Sequence, residues 1–160
     1  MSAHNRKTRE VWLDAPELEP ARRVGSLFQN LVKTSVPATF AYDPAWLQTA
    51  TKFALDPRLE LFEGEQTPEV NFPAFGIFMD SAPDHWGRVL MERRELLEAE
   101  RQGRAPRSLQ ETDFLLGVSD EVRMGALRFR EGDEHPFVAK DAMAAPPVIS
   151  LEEMAAMARR

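Results

Sequence analysis

Met124-Gly125-Ala126-Leu127-Arg128-Phe129-Arg130 ends in alternation: Leu127 and Phe129 point one way, Arg128 and Arg130 the other. A period of two belongs to a strand with one face buried and the other wet. The segment is expected to join a sheet begun near Trp12, far earlier in the chain. That return makes the chain α+β, a small, mostly antiparallel β-sheet of N-terminal strands plus a strand at about 124–130, packed with two to four α-helices.

Upstream, the opening strands are short. Val11 and Leu13 flank Trp12, Val24 to Phe28 follows, and Thr39 to Tyr42 alternates small or polar with aromatic residues. Asp14-Ala15-Pro16 through Pro20 breaks the first pair. Pro37 opens the third strand, where a missing N–H costs least, and Asp43-Pro44 ends it. Pro44 to Ala54 reads as a short helix capped by Asp43 and anchored by Trp46, Leu47 and Phe53. Leu59 to Phe62 and Asn71 to Met79, broken by Gly64, Pro68 and Pro73, read as extended and irregular.

The clearest helix begins near Pro83, with Ser81 or Asp80 as its cap and Gly103 beyond its end. Its apolar stripe is Trp86, Val89, Leu90 and Leu97, while Arg88, Glu92, Arg94, Glu95, Glu98 and Arg101 lie largely off it. Burial of that stripe makes Trp86 its anchor and predicts a loss of about 3–5 kcal/mol for Trp86→Ala. Gly87 would let another backbone approach. Ser108-Leu-Gln-Glu111 has the form of a capping box opening a second helix that ends at Gly117, buried through Phe114, Leu115 and Leu116. The expected organisation is a flexible start at 1–8, one subdomain at 9–131, a linker-like segment at 132–148 and the beginning of a helix at 149–160. That last helix, opened by Ser150-Leu-Glu-Glu153, carries Leu151, Met154, Ala155 and Ala158 on one face.

A chain of 160 residues with 43% hydrophobic content can form one core. Its 20 basic and 26 acidic residues leave a formal charge of −6, which disfavours stand-alone binding of a phosphate backbone. It has no cysteine, so disulfides, thiolate nucleophiles and the usual structural zinc sites drop out. The start lacks the apolar run of a signal peptide, and no stretch approaches the roughly 20 residues needed to span a bilayer. A cytoplasmic protein with no membrane partner is expected.

No chemistry-bearing constellation converges. His4 and His135 sit in polar flanks, and His85 beside Asp80 and Asp84 lacks metal-ligand spacing. The carboxylate pairs Asp80/Asp84 and Glu60/Glu63 read as exposed charges rather than acid–base pairs. None of Ser26, Ser35, Ser81, Ser108, Ser119 or Ser150 sits in a nucleophile elbow. Arg88, Arg93, Arg94, Arg101, Arg104 and Arg107 form the one basic cluster. Glu92, Glu95, Glu98 and Glu100 interleave it, the pattern of a solvated, internally paired face.

Two stretches resemble a known family. Phe78-Met-Asp-Ser-Ala-Pro-Asp-His-Trp-Gly-Arg88 is similar to the signature of HipA-like serine/threonine kinase toxins, Leu-Pro-Asp-x-Trp-Gly-Arg after an apolar pair. Thr112-Asp-Phe-Leu-Leu-Gly-Val-Ser-Asp120 with Arg123-Met-Gly-Ala-Leu-Arg-Phe129 resembles its Asp-x-Leu-x-Gly-Val-x-Asp…Gly-Ala-Leu-Arg-Phe segment. Val11-Trp-Leu…Arg23-Val-Gly-Ser-Leu27 and Phe40-Ala-Tyr-Asp…Trp46-Leu47 resemble its opening strands. The residues carrying the likeness are Phe78, Pro83, Asp84, Trp86, Gly87, Arg88, Asp113, Leu116, Gly117, Asp120, Gly125, Leu127 and Phe129, and each has a packing role open to it.

The resemblance covers about positions 11 to 130 and implies the amino-terminal region of a bacterial toxin–antitoxin kinase. The family's ATP- and magnesium-binding parts lie downstream of that region, so the chain is expected to be no enzyme by itself and to carry no cofactor. ATP and Mg would belong to the kinase core. Implied partners are that core and a HipB-like DNA-binding antitoxin, with DNA met only through the complex, where Arg104 and Arg107 are candidate phosphate contacts. Two functions follow: a regulatory scaffold lobe docking core and antitoxin, or a stand-alone antitoxin-like protein that inhibits a separately encoded kinase core.

Overall fold

The computed structural model describes residues 6–18, 20–30, 36–118, 123–132 and 137. Its elements in chain order are β1 (Arg6–Leu13), a 3-10 turn (Pro16–Leu18), β2 (Arg22–Asn30), β3 (Thr39–Tyr42), α1 (Pro44–Gln48), β4 (Glu65–Gln66), α2 (Gly76–Asp80), α3 (His85–Arg101), α4 (Glu111–Leu116) and β5 (Leu127–Arg130). The sheet is antiparallel with strand order β4-β3-β2-β1-β5, so the fold is α+β.

The alternation in β5 has the expected consequence. Val11 lies opposite Phe129 and Leu13 opposite Leu127. All four are buried, so the last strand closes the core at the edge of the first. Val24 and Leu27 of β2 and Phe40 and Tyr42 of β3 extend this inner face, and Phe75, Phe78 and Leu115 meet it from the helices. Phe78 stands 5.3 Å from the ring of Phe40 and 6.3 Å from that of Phe129, bridging the central and outer strands. Gly125, at φ 83, takes a left-handed conformation that a side chain would strain, and it turns the chain into β5.

Several expectations need correction. β1 starts at Arg6, inside the segment expected to be flexible; residues 1–5 lie outside the described residues. α1 stops at Gln48, where Thr49 turns extended, so the helix does not reach Ala54. Phe53 is largely exposed and anchors only by setting its ring edge against Trp46, 5.5 Å away. Residues 76–80, expected to be irregular, form α2. The reason is non-local: the buried Asp56 carboxylate accepts from the Ile77 N–H at 3.0 Å, doing the work of a cap that Phe75 cannot do. A Cβ on Gly76 would meet that carboxylate at 3.0 Å.

The caps of α3 and α4 also shift. Asp84 caps α3, accepting from the Gly87 N–H at 2.8 Å, so Pro83 precedes the cap rather than sitting in the first turn. In α4 the reciprocal pair is Gln110 and Asp113, not Ser108 and Glu111. Most of the linker-like segment 132–148 and the whole helix at 149–160 lie outside the described residues.

Candidate docking face

The described likeness-bearing residues lie on α2, at the start of α3, along α4 and its end, and in and just before β5. The Arg88 guanidinium grips both oxygens of Glu111 at 2.6 and 2.8 Å and lies 4.8 Å from the Phe114 ring centroid. Its Nε donates to the Pro83 carbonyl at 3.2 Å. The hydrogen bonds Arg88 donates to Glu111, against some burial, hold the guanidinium above its ordinary pKa. Asp113 closes the α4 cap, and Leu116 packs partly buried against the core. A Cβ on Gly117 would sit 2.0 Å from the Met91 terminal methyl, which can swing aside, and 2.9 Å from the Asp113 carbonyl oxygen, which is backbone and cannot move as easily. A Cβ on Gly87 would meet the Pro83 ring at 2.7 Å, so that glycine admits its own preceding turn rather than another backbone. Phe78, Leu127 and Phe129 are core residues, and Asp120 lies outside the described residues.

Arg123 is the residue the sequence did not single out. It is 6% exposed, and its two terminal nitrogens donate to the carbonyls of Ser81, Leu115 and Val118. One cation thus joins the carboxyl ends of α2 and α4. Nothing in local periodicity could have found it.

α3 turns its back on the expectation. Its buried side is Met91, Glu95 and Ala99, spaced i, i+4, i+8 and facing α4 and the following loop. The apolar stripe read from the sequence lies on the opposite side: Trp86 is 57% exposed and Leu97 38%, with Val89 and Leu90 only partly covered, and the neighbouring Leu96, not counted in that stripe, is 55% exposed. The helix follows its packing partners rather than its hydrophobic side because Gly117 offers Met91 a slot and two arginines offer Glu95 a charge. The cost expected for Trp86→Ala therefore falls to below about 1 kcal/mol, the range of an exposed side chain. At the middle of this stripe, seven residues after Trp86, sits Arg93, which makes no hydrogen bond or ion pair among the described residues.

Glu95 explains where Arg104 and Arg107 are employed. Its side chain is 2% exposed; it accepts from Arg104 at 2.5 and 3.3 Å and from the Arg107 N–H at 2.9 Å. The Arg107 Nε approaches at 3.6 Å. Both guanidiniums, proposed for phosphate, thus fold the 102–107 loop onto α3. These donors outweigh burial and hold the Glu95 carboxyl at about 2, below its ordinary 4.5. A depressed carboxyl stabilises the fold above its unfolded value, and that contribution fades as pH falls from 4.5 toward 2. Because the arginines are part-exposed and screened, the contribution is about 2 kcal/mol rather than the full shift. Thermal midpoints of the chain and of Glu95→Gln are expected to differ at pH 7, to draw together as pH falls below 4.5, and to converge only at about pH 2. A gap independent of pH would refute this.

Among the described residues no group of three or more His, Cys, Asp or Glu side chains is placed to hold a metal ion, and no helix is long and apolar enough to cross a membrane. A shallow cleft of about 320 Å³ between the end of β2 and the start of α4 is lined by Gln29, Ser108, Gln110 and Thr112 and by one acid, Glu111, which Arg88 already holds. It gathers no acid, base and nucleophile that could act together. Neither the models of known families nor the curated proteins contain a match to this chain. Trp86, Leu96 and Leu97 leave an apolar side of α3 exposed among the described residues.

Proposed function

We propose that the chain is an amino-terminal scaffold and docking lobe of the HipA-like kinase type, non-catalytic by itself, which docks a kinase core and a HipB-like antitoxin and meets DNA only through the complex. The exposed apolar side of α3 carries the reading. A helix that buries Glu95 and leaves Trp86, Leu96 and Leu97 in water has its apolar side available for a partner. The likeness between Phe78 and Phe129 supports the choice of family, and of its described residues most serve packing and capping here, while Trp86 stands on the exposed side of α3. ATP, magnesium and phosphoryl transfer would belong to the core.

The test mixes the purified chain with a HipA-type kinase core lacking its own amino-terminal region. A stable complex is expected by size-exclusion chromatography. The double variant Trp86→Ala/Leu97→Ala should weaken it at least tenfold, with little change in the melting curve. A complex indifferent to those changes, or none at all with the intact chain, would remove the reading. Core autophosphorylation in the same samples separates the two roles: unchanged activity supports the scaffold, suppression supports an antitoxin-like inhibitor.

A further inference from the structure

Resting on the docking reading, we propose that the α3 face receives an amphipathic helix of a partner protein whose apolar side carries a carboxylate placed opposite Arg93. The geometry of the stripe points to it. With 3.6 residues per turn, Trp86, Leu90, Arg93 and Leu97 fall on one line of the helix, flanked by Val89 and Leu96. This line lies opposite the buried Met91, Glu95 and Ala99. Nothing on α3 itself neutralises its central cation. Arg88 is committed to Glu111, Arg104 to Glu95, and Arg93 stands among Leu90, Leu96 and Leu97 without an ion pair among the described residues.

A partner that covers the leucines must take Arg93 out of water, and a buried, unpaired guanidinium is too costly to keep. The partner therefore has to bring an anion to that point, inside its own apolar side. A carboxylate matches, and the planar fork of arginine accepts it through two parallel hydrogen bonds. A second copy of the chain fits poorly. α3 runs from His85 to Arg101, so Arg93 is its midpoint, and a two-fold pairing of the stripes sets Arg93 against its own mate. A straight ridge of this kind is complemented by another helix, whose side chains recur at the same spacing.

The experiment titrates the full chain against two labelled synthetic helices of about 18 residues with leucines at i, i+3, i+4 and i+7, one bearing glutamate and the other lysine at the stripe's centre. Fluorescence anisotropy is expected to give at least tenfold tighter binding of the glutamate peptide. Arg93→Glu should reverse the preference while circular dichroism stays unchanged. Equal affinities, no binding of either peptide, or a glutamate preference that survives Arg93→Glu would overturn the proposal. So would two rival occupants: a dimer in sedimentation that Trp86→Ala dissolves, or tighter binding of a peptide of residues 149–160. Failure here with the kinase-core complex intact would sink only the carboxylate pairing; loss of that complex sinks the docking reading itself.

Discussion

Arg123→Ala is expected to lower the unfolding free energy by about 4 kcal/mol, seen as a fall of about 10 °C in the thermal midpoint. The guanidinium donates at 3.2 and 2.8 Å to Ser81 and Leu115 and at 2.9 Å to Val118, and it lies 4.8 Å from the Phe129 ring centroid. These acceptors lie at or just beyond the ends of α2 and α4, where carbonyls lose intrahelical partners and the helix dipole is negative. Truncation leaves them facing a space too buried for easy hydration, and that desolvation outweighs the net value of the bonds themselves. Arg123→Lys should recover less than half of the loss, because a single ammonium cannot reach three carbonyls from the position of a planar fork. A midpoint shift corresponding to under about 1 kcal/mol for the alanine variant would show that the clasp is incidental.

Arg123 also marks the boundary of what the sequence discloses. Four of the five strands were legible because alternation is local: Leu127 and Phe129 against Arg128 and Arg130 announce a half-buried strand without knowledge of its partner, whereas β4, two residues long, carries no such alternation. α3 was legible as a helix, and its apolar stripe was read correctly, but the side it buries was not. Hydrophobicity names the side that needs cover; which side receives cover inside the chain depends on Gly117 and on two arginines beyond Gly103. α2 escaped notice because Asp56, twenty-one residues before Ile77, stands in for its cap. The caps of α3 and α4 were missed by two to four residues, the spacing at which Ser, Asp and Gln compete to serve the same N–H groups. Arg104 and Arg107 read as a solvent-facing basic pair because the partner that absorbs them, Glu95, looked like one more surface acid.

Gly25→Ala is expected to destabilise the fold by about 3 kcal/mol or more, although it adds a single methyl group. The cause is contact rather than backbone freedom. Gly25 pairs with Tyr42 across β2 and β3, and a Cβ built there falls 2.3 Å from the Ala41 carbonyl oxygen and 2.3 Å from Cζ of Phe40. Neither neighbour can yield cheaply. The carbonyl belongs to the strand ladder, and the Phe40 ring is fully buried, 5.0 Å from Tyr42 and 5.3 Å from Phe78. The methyl group must therefore open the β2–β3 pairing or push the ring into the core that β5 and α2 share. A double-mutant cycle separates these routes. Phe40→Leu shortens the ring and should return about 1 kcal/mol in the Gly25→Ala background while being costly alone, a coupling that independent sites would not show. Additive losses would assign the whole effect to the Ala41 carbonyl, and a Gly25→Ala protein as stable as the parent would contradict the packing of Phe40 across β2.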